Sequence, residues 1–269
     1  MIRRKISGSE RFTIIGAAVC FVLFSVIIAV SGFSLGSMVN AQNMFLGGFL
    51  SQNSVSSVLS GLFGYILAPI VALLFLVLGF ALLSSYGYHN DKKFVAFIPA
   101  IIGAIAARIL FRSVTSLFVA AGMIIGSVYT INISNVYAKE LKKWSFFRTG
   151  SNSISKALMV FNVLVFIGLV LAVYASLPAY QQNFRHGFVE NVISSTPGFS
   201  DLGEVGQQQL RNYIESTIDA SPLLGSFLRW LPLIVGFGAW VVLEFLRTFV
   251  FSNIGGIFTS ILIRINKRF

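Results

Sequence analysis

The sequence is poor in the side chains that most enzymes and metal sites use. Its 269 residues include one cysteine, Cys20, two histidines and nine acidic residues. A single cysteine excludes an internal disulfide framework and a multi-cysteine metal site. The sequence also has no H-E-x-x-H motif, no histidine cluster and no phosphate-binding G-x-x-x-x-G-K-[ST] loop. We therefore predict no metal site and no cofactor site.

One motif resembles an enzyme signature. Residues 32–36, GFSLG, fit the G-x-S-x-G pattern of serine hydrolases, but that pattern has meaning only on a strand-to-helix turn and with a base nearby. Here it ends an apolar helix. His89 is predicted on the opposite side of the membrane from Ser34, and His186 lies outside any span. We predict no catalytic residues and no enzymatic activity.

Charge is scarce as well. Only 11% of the residues are charged, against about 25% in ordinary soluble domains, while 56% are hydrophobic. The apolar runs are continuous and near 20 residues, the length at which a helix crosses a hydrocarbon core of about 30 Å. Backbone groups in lipid must bond within the segment, which favours helices. We predict an all-α polytopic membrane protein.

Six apolar segments predict six transmembrane helices. They cover about residues 13–33, 61–83, 94–111, 114–133, 157–177 and 223–243. The corresponding organisation is five spans within 1–178, an extracytoplasmic helical insert over 179–222, and a sixth span with a C-terminal tail over 223–269.

The distribution of basic residues predicts the orientation. An even number of spans places both termini on one side, and 15 of the 20 basic residues fall on that side. The positive-inside rule then places both termini in the cytoplasm, with the protein in the cell membrane. The net charge of +11 follows from this bias, so we expect contact with anionic lipid at the cytoplasmic face and none with nucleic acid.

Two features of the first half have more than one interpretation. Residues 34–60 contain no charge, and they fit either a short interfacial helix or a re-entrant segment that lines a cavity. Pro69 lies within the second span and should kink it.

The insert is the only part that resembles a soluble protein. Phe184, Phe188 and Val192 recur every four residues, and an apolar stripe follows on a second helix. We predict a helical hairpin that either covers the end of the bundle or docks a protein partner. The stripe of its second helix comprises Val205, Leu210, Tyr213, Ile214 and Ile218.

Small residues mark helix contacts in the third and fourth spans. Gly103 and Ala107 are four residues apart in the third span, as are Gly122 and Gly126 in the fourth. Such spacing lets helix backbones approach closely. We expect these two spans to pack on each other, with association between subunits as the alternative.

Five charged residues near the spans are candidate functional positions. Arg108 and Arg112 lie one turn apart at the external end of the third span, where they reach water or pair with the acidic insert. Arg229 lies near the external end of the sixth span. Glu244 and Arg247 are neighbours on one helix face, predicted at the cytoplasmic edge, with a proton or ion relay at Glu244 as the alternative.

Residues beyond the sixth span form an apolar tail. It is broken by SNIGG and leads to Arg264, Lys267 and Arg268, which predicts a C-terminal interfacial helix facing anionic lipid. For the whole chain we predict an accessory or scaffold subunit that binds a protein partner, or a second copy, through its insert and small-residue helix faces. The alternative is a small channel or transporter whose path is lined by residues 34–60, Pro69 and Glu244.

Overall fold

The computed structural model describes residues 8–32, 55–90, 92–141, 143–194, 196–199 and 202–266. Within these ranges all regular structure is helical, and six helical segments are long and apolar enough to cross a membrane. The prediction of an all-α polytopic bundle is therefore confirmed. Most of the uncharged segment, Ser34 and the terminal Lys267 and Arg268 lie outside the described residues.

Nine α-helices make up the described structure. A 3₁₀ turn precedes α3, and a π-helical turn, Arg247–Phe251, joins the last two helices. The helices are α1 (Gly8–Val30), α2 (Val55–His89), α3 (Phe97–Phe111), α4 (Val114–Glu140), α5 (Ser145–Ala175), α6 (Leu177–Ser194), α7 (Glu204–Ala220), α8 (Pro222–Leu246) and α9 (Ser252–Asn266). Helix α2 continues through Pro69.

The core lies where α1, α2, α4 and α5 meet, and it is built on aromatic side chains. Phe21 of α1 and Phe80 of α2 are fully buried, with ring centroids 5.5 Å apart at 68°, an edge-to-face arrangement. Phe161 of α5 and Met123 of α4 complete this layer. Edge-to-face rings stabilise a core beyond the area they bury.

The third and fourth spans pack on each other as predicted, through Gly103 against Met123, but the glycine pair of the fourth span faces other helices. A Cβ at Gly122 would come within 2.9 Å of the ring of Phe161, and one at Gly126 within 3.0 Å of Phe80. The glycine pair of α4 thus faces α5 and α2, although α3 and α4 do contact each other. Gly103 faces Phe21 and Met123.

The same glycine contacts concern the alternative of association between subunits. Gly103, Ala107, Gly122 and Gly126 are all buried inside this one chain. The three glycines lie against Phe21, Phe80, Met123 and Phe161 of the same chain.

The linker that we predicted before the fifth span is largely helical. Helix α5 begins at Ser145, twelve residues before the predicted span, and its first turns bury Thr149, Gly150 and Ser153. The segment contains Arg148 and Lys156, which lower its hydropathy below that of a span. Its small side chains form a surface on which α9 packs.

Helix α9 packs on its own chain at the end of the bundle that carries the 3₁₀ turn, which we call the basic end. Gly255 lies against Ile154 of α5, and a Cβ there would approach within 2.4 Å of that side chain. At the other end of α9, Asn266 donates a hydrogen bond to Ser85 Oγ of α2 at 3.2 Å. The helix therefore extends from α5 to α2.

A contact between two serines joins α2 and α5 near the residues that α9 contacts. The hydroxyls of Ser84 and Ser153 are 2.8 Å apart, so these points of α2 and α5 lie at one level of the bundle. Each is next in sequence to a residue that α9 contacts, Ser85 and Ile154. Helix α9 contacts α5 between Phe147 and Ile154 and reaches Ser85 of α2 through Asn266, so it lies across these two helices.

The insert folds at the opposite end, which we call the insert end. Helices α6 and α7 share a small core of Val189, Ile193 and Ile218, with Phe188 and Ile214 packed against it. Glu190 and Arg211 join the two helices in an ion pair at 2.6 Å. Among the described helices, the insert makes its main contacts with α5 and α8, the helices that lead into and out of it.

Candidate functional site

The most polar arrangement within the spans lies on the last one. Glu244 and Arg247 are one turn apart on one helical face, and their side chains are 18% and 19% exposed. The guanidinium donates through Nε and Nη2 to Glu244 Oε2, each at 2.7 Å. The pair predicted from the spacing of three residues is therefore formed.

Two residues of α5 complete the arrangement. Asn162 Nδ2 donates to Glu244 Oε1 at 2.9 Å, and Arg247 Nη1 donates to Ser155 Oγ at 2.5 Å. Ser155 and Asn162 are seven residues apart, which places them on the same face of α5 two turns apart. We call these four residues the Glu244 cluster. Both carboxylate oxygens accept a hydrogen bond, and the cluster ties the last span to α5.

A π-helical turn follows the cluster directly. It runs from Arg247 to Phe251, and Ser252 Oγ donates to the carbonyl of Arg247 at 2.6 Å. A π turn inserts about one extra residue and so rotates the following helix by about 100°. After it, Ser252, Gly255 and Thr259 are buried. The π turn therefore changes which face of the helix is buried: one face before the turn, at Glu244, and another after it, along α9.

The distance along the helix between the two arginines of the last span matches the thickness of the hydrocarbon core of a membrane. Eighteen residues separate Arg229 and Arg247, which at 1.5 Å per residue is about 27 Å, close to a hydrocarbon thickness of about 30 Å. Arg229 is exposed and Arg247 is half-buried. Glu244 lies one turn to the inside of Arg247, where its ion pair and the Asn162 amide satisfy it.

The arginines at the end of α3 do not join this cluster. Arg108 Nη1 donates to Ser113 O at 3.1 Å and to Ser116 Oγ at 3.0 Å, so it stabilises the turn into α4. Arg112 is exposed and has a left-handed backbone with φ 44°. Within the described residues neither arginine pairs with an acid of the insert. Among the described residues, the pairing with the acidic insert that we considered is therefore not formed.

Our sequence reasoning missed a buried serine contact. Ser134 Oγ donates to the carbonyl of Ser84 at 2.6 Å, and the Ser84 hydroxyl is hydrogen-bonded to that of Ser153. All three residues are fully buried and join α2, α4 and α5. The signal in the sequence is a serine within each of three helices, but nothing local indicates that they meet.

Two clefts lie near the basic end. One has a volume of about 210 Å³ and is lined by polar side chains, among them Glu10, Ser85, His89 and Asn266. The other, of about 610 Å³, lies between the start of α5 and α9. Glu244 lines neither cleft. Among the described residues, no group of three His, Cys, Asp or Glu side chains is placed to hold a metal ion.

Comparison of the chain with protein-family models, with curated proteins and with solved structures gives no match.

Proposed function

We propose that this helical membrane protein is a non-enzymatic accessory or scaffold subunit that docks a protein partner on its insert. The observation that carries the proposal is an exposed, uncharged face of α7, which we call the α7 face. Its members are all exposed and span three turns of the helix: Val205, Gln208, Gln209, Asn212, Tyr213, Ser216 and Thr217.

The composition of the α7 face fits a protein interface. Val205 is 73% exposed and Tyr213 is 69% exposed. Helix α7 has 17 residues and is not among the segments that are long and apolar enough to span. The centre of a protein interface is depleted of charge and enriched in aromatic residues. On α7 the partnered charge, Arg211, lies instead on the side that faces α6.

Within the described spans, the interior supports the same assignment. The glycines of the third and fourth spans lie against Phe21, Phe80 and Phe161 of the same chain, which favours the insert over these glycines as the surface for a partner. Glu244 is held by Arg247 and Asn162 and lines neither cleft. A carboxylate that is held by both partners links the last span to α5.

Charge substitution on the α7 face tests the proposal. The double variant Val205→Glu and Tyr213→Glu adds two charges that a docked partner would have to desolvate. A matched control, Gln182→Glu and Asn183→Glu, adds two charges at exposed positions of α6. The first variant should lose the co-purifying partner and the control should retain it. Equal retention by both variants would contradict the assignment to α7.

A second candidate is an ion-coupled transporter. It is supported by an acid within a span directly before a π turn, because π turns and intramembrane acids both occur often at functional sites. The test is flux in reconstituted vesicles, in which Glu244→Gln should abolish coupling. Flux that is unchanged by this substitution would remove Glu244 from the transport path.

A further inference from the structure

A groove at the basic end combines an apolar wall with an unpaired cation. It lies between the start of α5 and the outer side of α9, with a volume of about 610 Å³. The residues that matter for its chemistry are Trp144, Phe147, Ile257, Ser260, Ile261 and Arg264.

The apolar wall is exposed and continuous. Ile257 and Ile261 of the lining are four residues apart on α9 and are 53% and 49% exposed. Trp144 is 80% exposed. Tryptophan concentrates at the boundary between lipid and water, and an apolar row on a helix with basic residues is typical of interfacial helices.

The polar side of the groove carries hydrogen-bond donors that have no acceptor in the described part of the chain. Within the described chain, Arg264 makes no hydrogen bond or ion pair, and the hydroxyls of Ser145 and Ser260 likewise have no partner. Lys143 and Arg148 are exposed close by in sequence, and the nearest described acid along the chain is Glu140. A guanidinium binds phosphate oxygens in a planar, bidentate manner.

We propose that this groove binds one anionic phospholipid. This site is separate from the α7 face and does not depend on a partner docked there. Arg264 binds the headgroup phosphate, aided by the Ser145 and Ser260 hydroxyls. The acyl chains lie along Trp144, Ile257 and Ile261. The apolar wall decides between the sources of phosphate, because a free phosphate ion would leave that wall exposed to water.

Fluorescence quenching by brominated lipid tests the site directly. The probe is the full chain in nanodiscs, with Trp230→Phe and Trp240→Phe so that Trp144 is the only tryptophan. A small fraction of phosphatidylglycerol brominated on its acyl chains is added to phosphatidylcholine. We expect Trp144 to be quenched more than by the same fraction of brominated phosphatidylcholine.

Two variants separate a built site from general surface charge. Arg264→Gln should lower the preference for phosphatidylglycerol about tenfold, the scale of one lost hydrogen bond between charged groups. Arg148→Gln removes the same charge from the same end but not from the groove, and it should leave the preference unchanged. Circular dichroism and thermal unfolding verify that both variants are folded.

Three results would overturn the proposal. Equal quenching by the two brominated lipids would mean that no anionic lipid is bound near Trp144. An equal loss in both arginine variants would indicate diffuse attraction instead of a site. Relief of quenching by excess glycerol phosphate would assign the groove to a soluble phosphate.

Discussion

Asn162 and Glu244 are 82 residues apart in sequence, and the amide of the first donates to the carboxylate of the second at 2.9 Å. The bond joins α5 to the last span beside the ion pair with Arg247. Since Asn162 is 2% exposed, its amide would otherwise be buried without this partner. The contact therefore holds the last span in register against α5.

Replacing one member of the Glu244–Arg247 ion pair should destabilise the protein more than replacing both members. Arg247→Met leaves Glu244 as a half-buried charge with one partner, and we expect a loss of about 2 kcal/mol or more in the free energy of unfolding. The double variant Glu244→Gln with Arg247→Met should recover a large part of that loss. Unfolding of the purified protein in detergent measures both. Additive losses would show that the two side chains are not coupled.

Asn162→Leu should destabilise the protein by about 1 kcal/mol, the usual scale for a hydrogen bond between transmembrane helices. The loss should be smaller when Glu244 is already Gln, because the charged acceptor is then absent. Val163→Leu, at a lipid-facing position of the same helix, is the control and should have little effect. A loss at Asn162 that is independent of residue 244 would contradict the contact.

The packing of α9 on α5 depends on glycine. A Cβ at Gly150 would lie 2.4 Å from the Cβ of Thr259, so Gly150→Ala should cost about 1–3 kcal/mol through overpacking. Adding Thr259→Gly should restore part of the stability. Gly238→Ala, where a Cβ has nothing within 4 Å, should be neutral or stabilising through helix propensity. Thermal unfolding distinguishes these outcomes.

Cysteine labelling tests the orientation predicted from the basic residues. With Cys20 replaced by alanine, Gln182→Cys on the insert should react with an impermeant thiol reagent in intact cells. Lys143→Cys, exposed just before α5, should react only after the membrane is opened. Reaction of both positions from the same side would contradict the six-span arrangement, and the reversed pattern would contradict cytoplasmic termini.

The six spans were predictable because a continuous apolar run of about 20 residues is a local property of the sequence. The helical start of α5 was not, because its stability comes from a surface supplied about 100 residues later. Thr149, Gly150 and Ser153 resemble a linker by composition. The partners of this segment are distant in sequence: Thr259 lies against Gly150 and Ser84 is hydrogen-bonded to Ser153.

In the candidate site, too, the contact within one helix could be predicted from the sequence, whereas the contacts between helices could not. The spacing of Glu244 and Arg247 was sufficient to predict their ion pair, since both lie on one helix. Asn162 drew no attention as one amide in an apolar span, and its role depends on a partner in another helix. The glycines Gly122 and Gly126 were assigned to the span nearest in sequence, whereas their contacts are with α5 and α2.

The most direct test of the proposed function is photocrosslinking in cells from the centre of the α7 face. A photoreactive amino acid at position 213 should yield one defined adduct, whose mass distinguishes a different protein from a second copy. The same group at Asn183, exposed on α6, should yield none. No adduct at position 213, or the same adducts at both positions, would contradict a docking surface on α7.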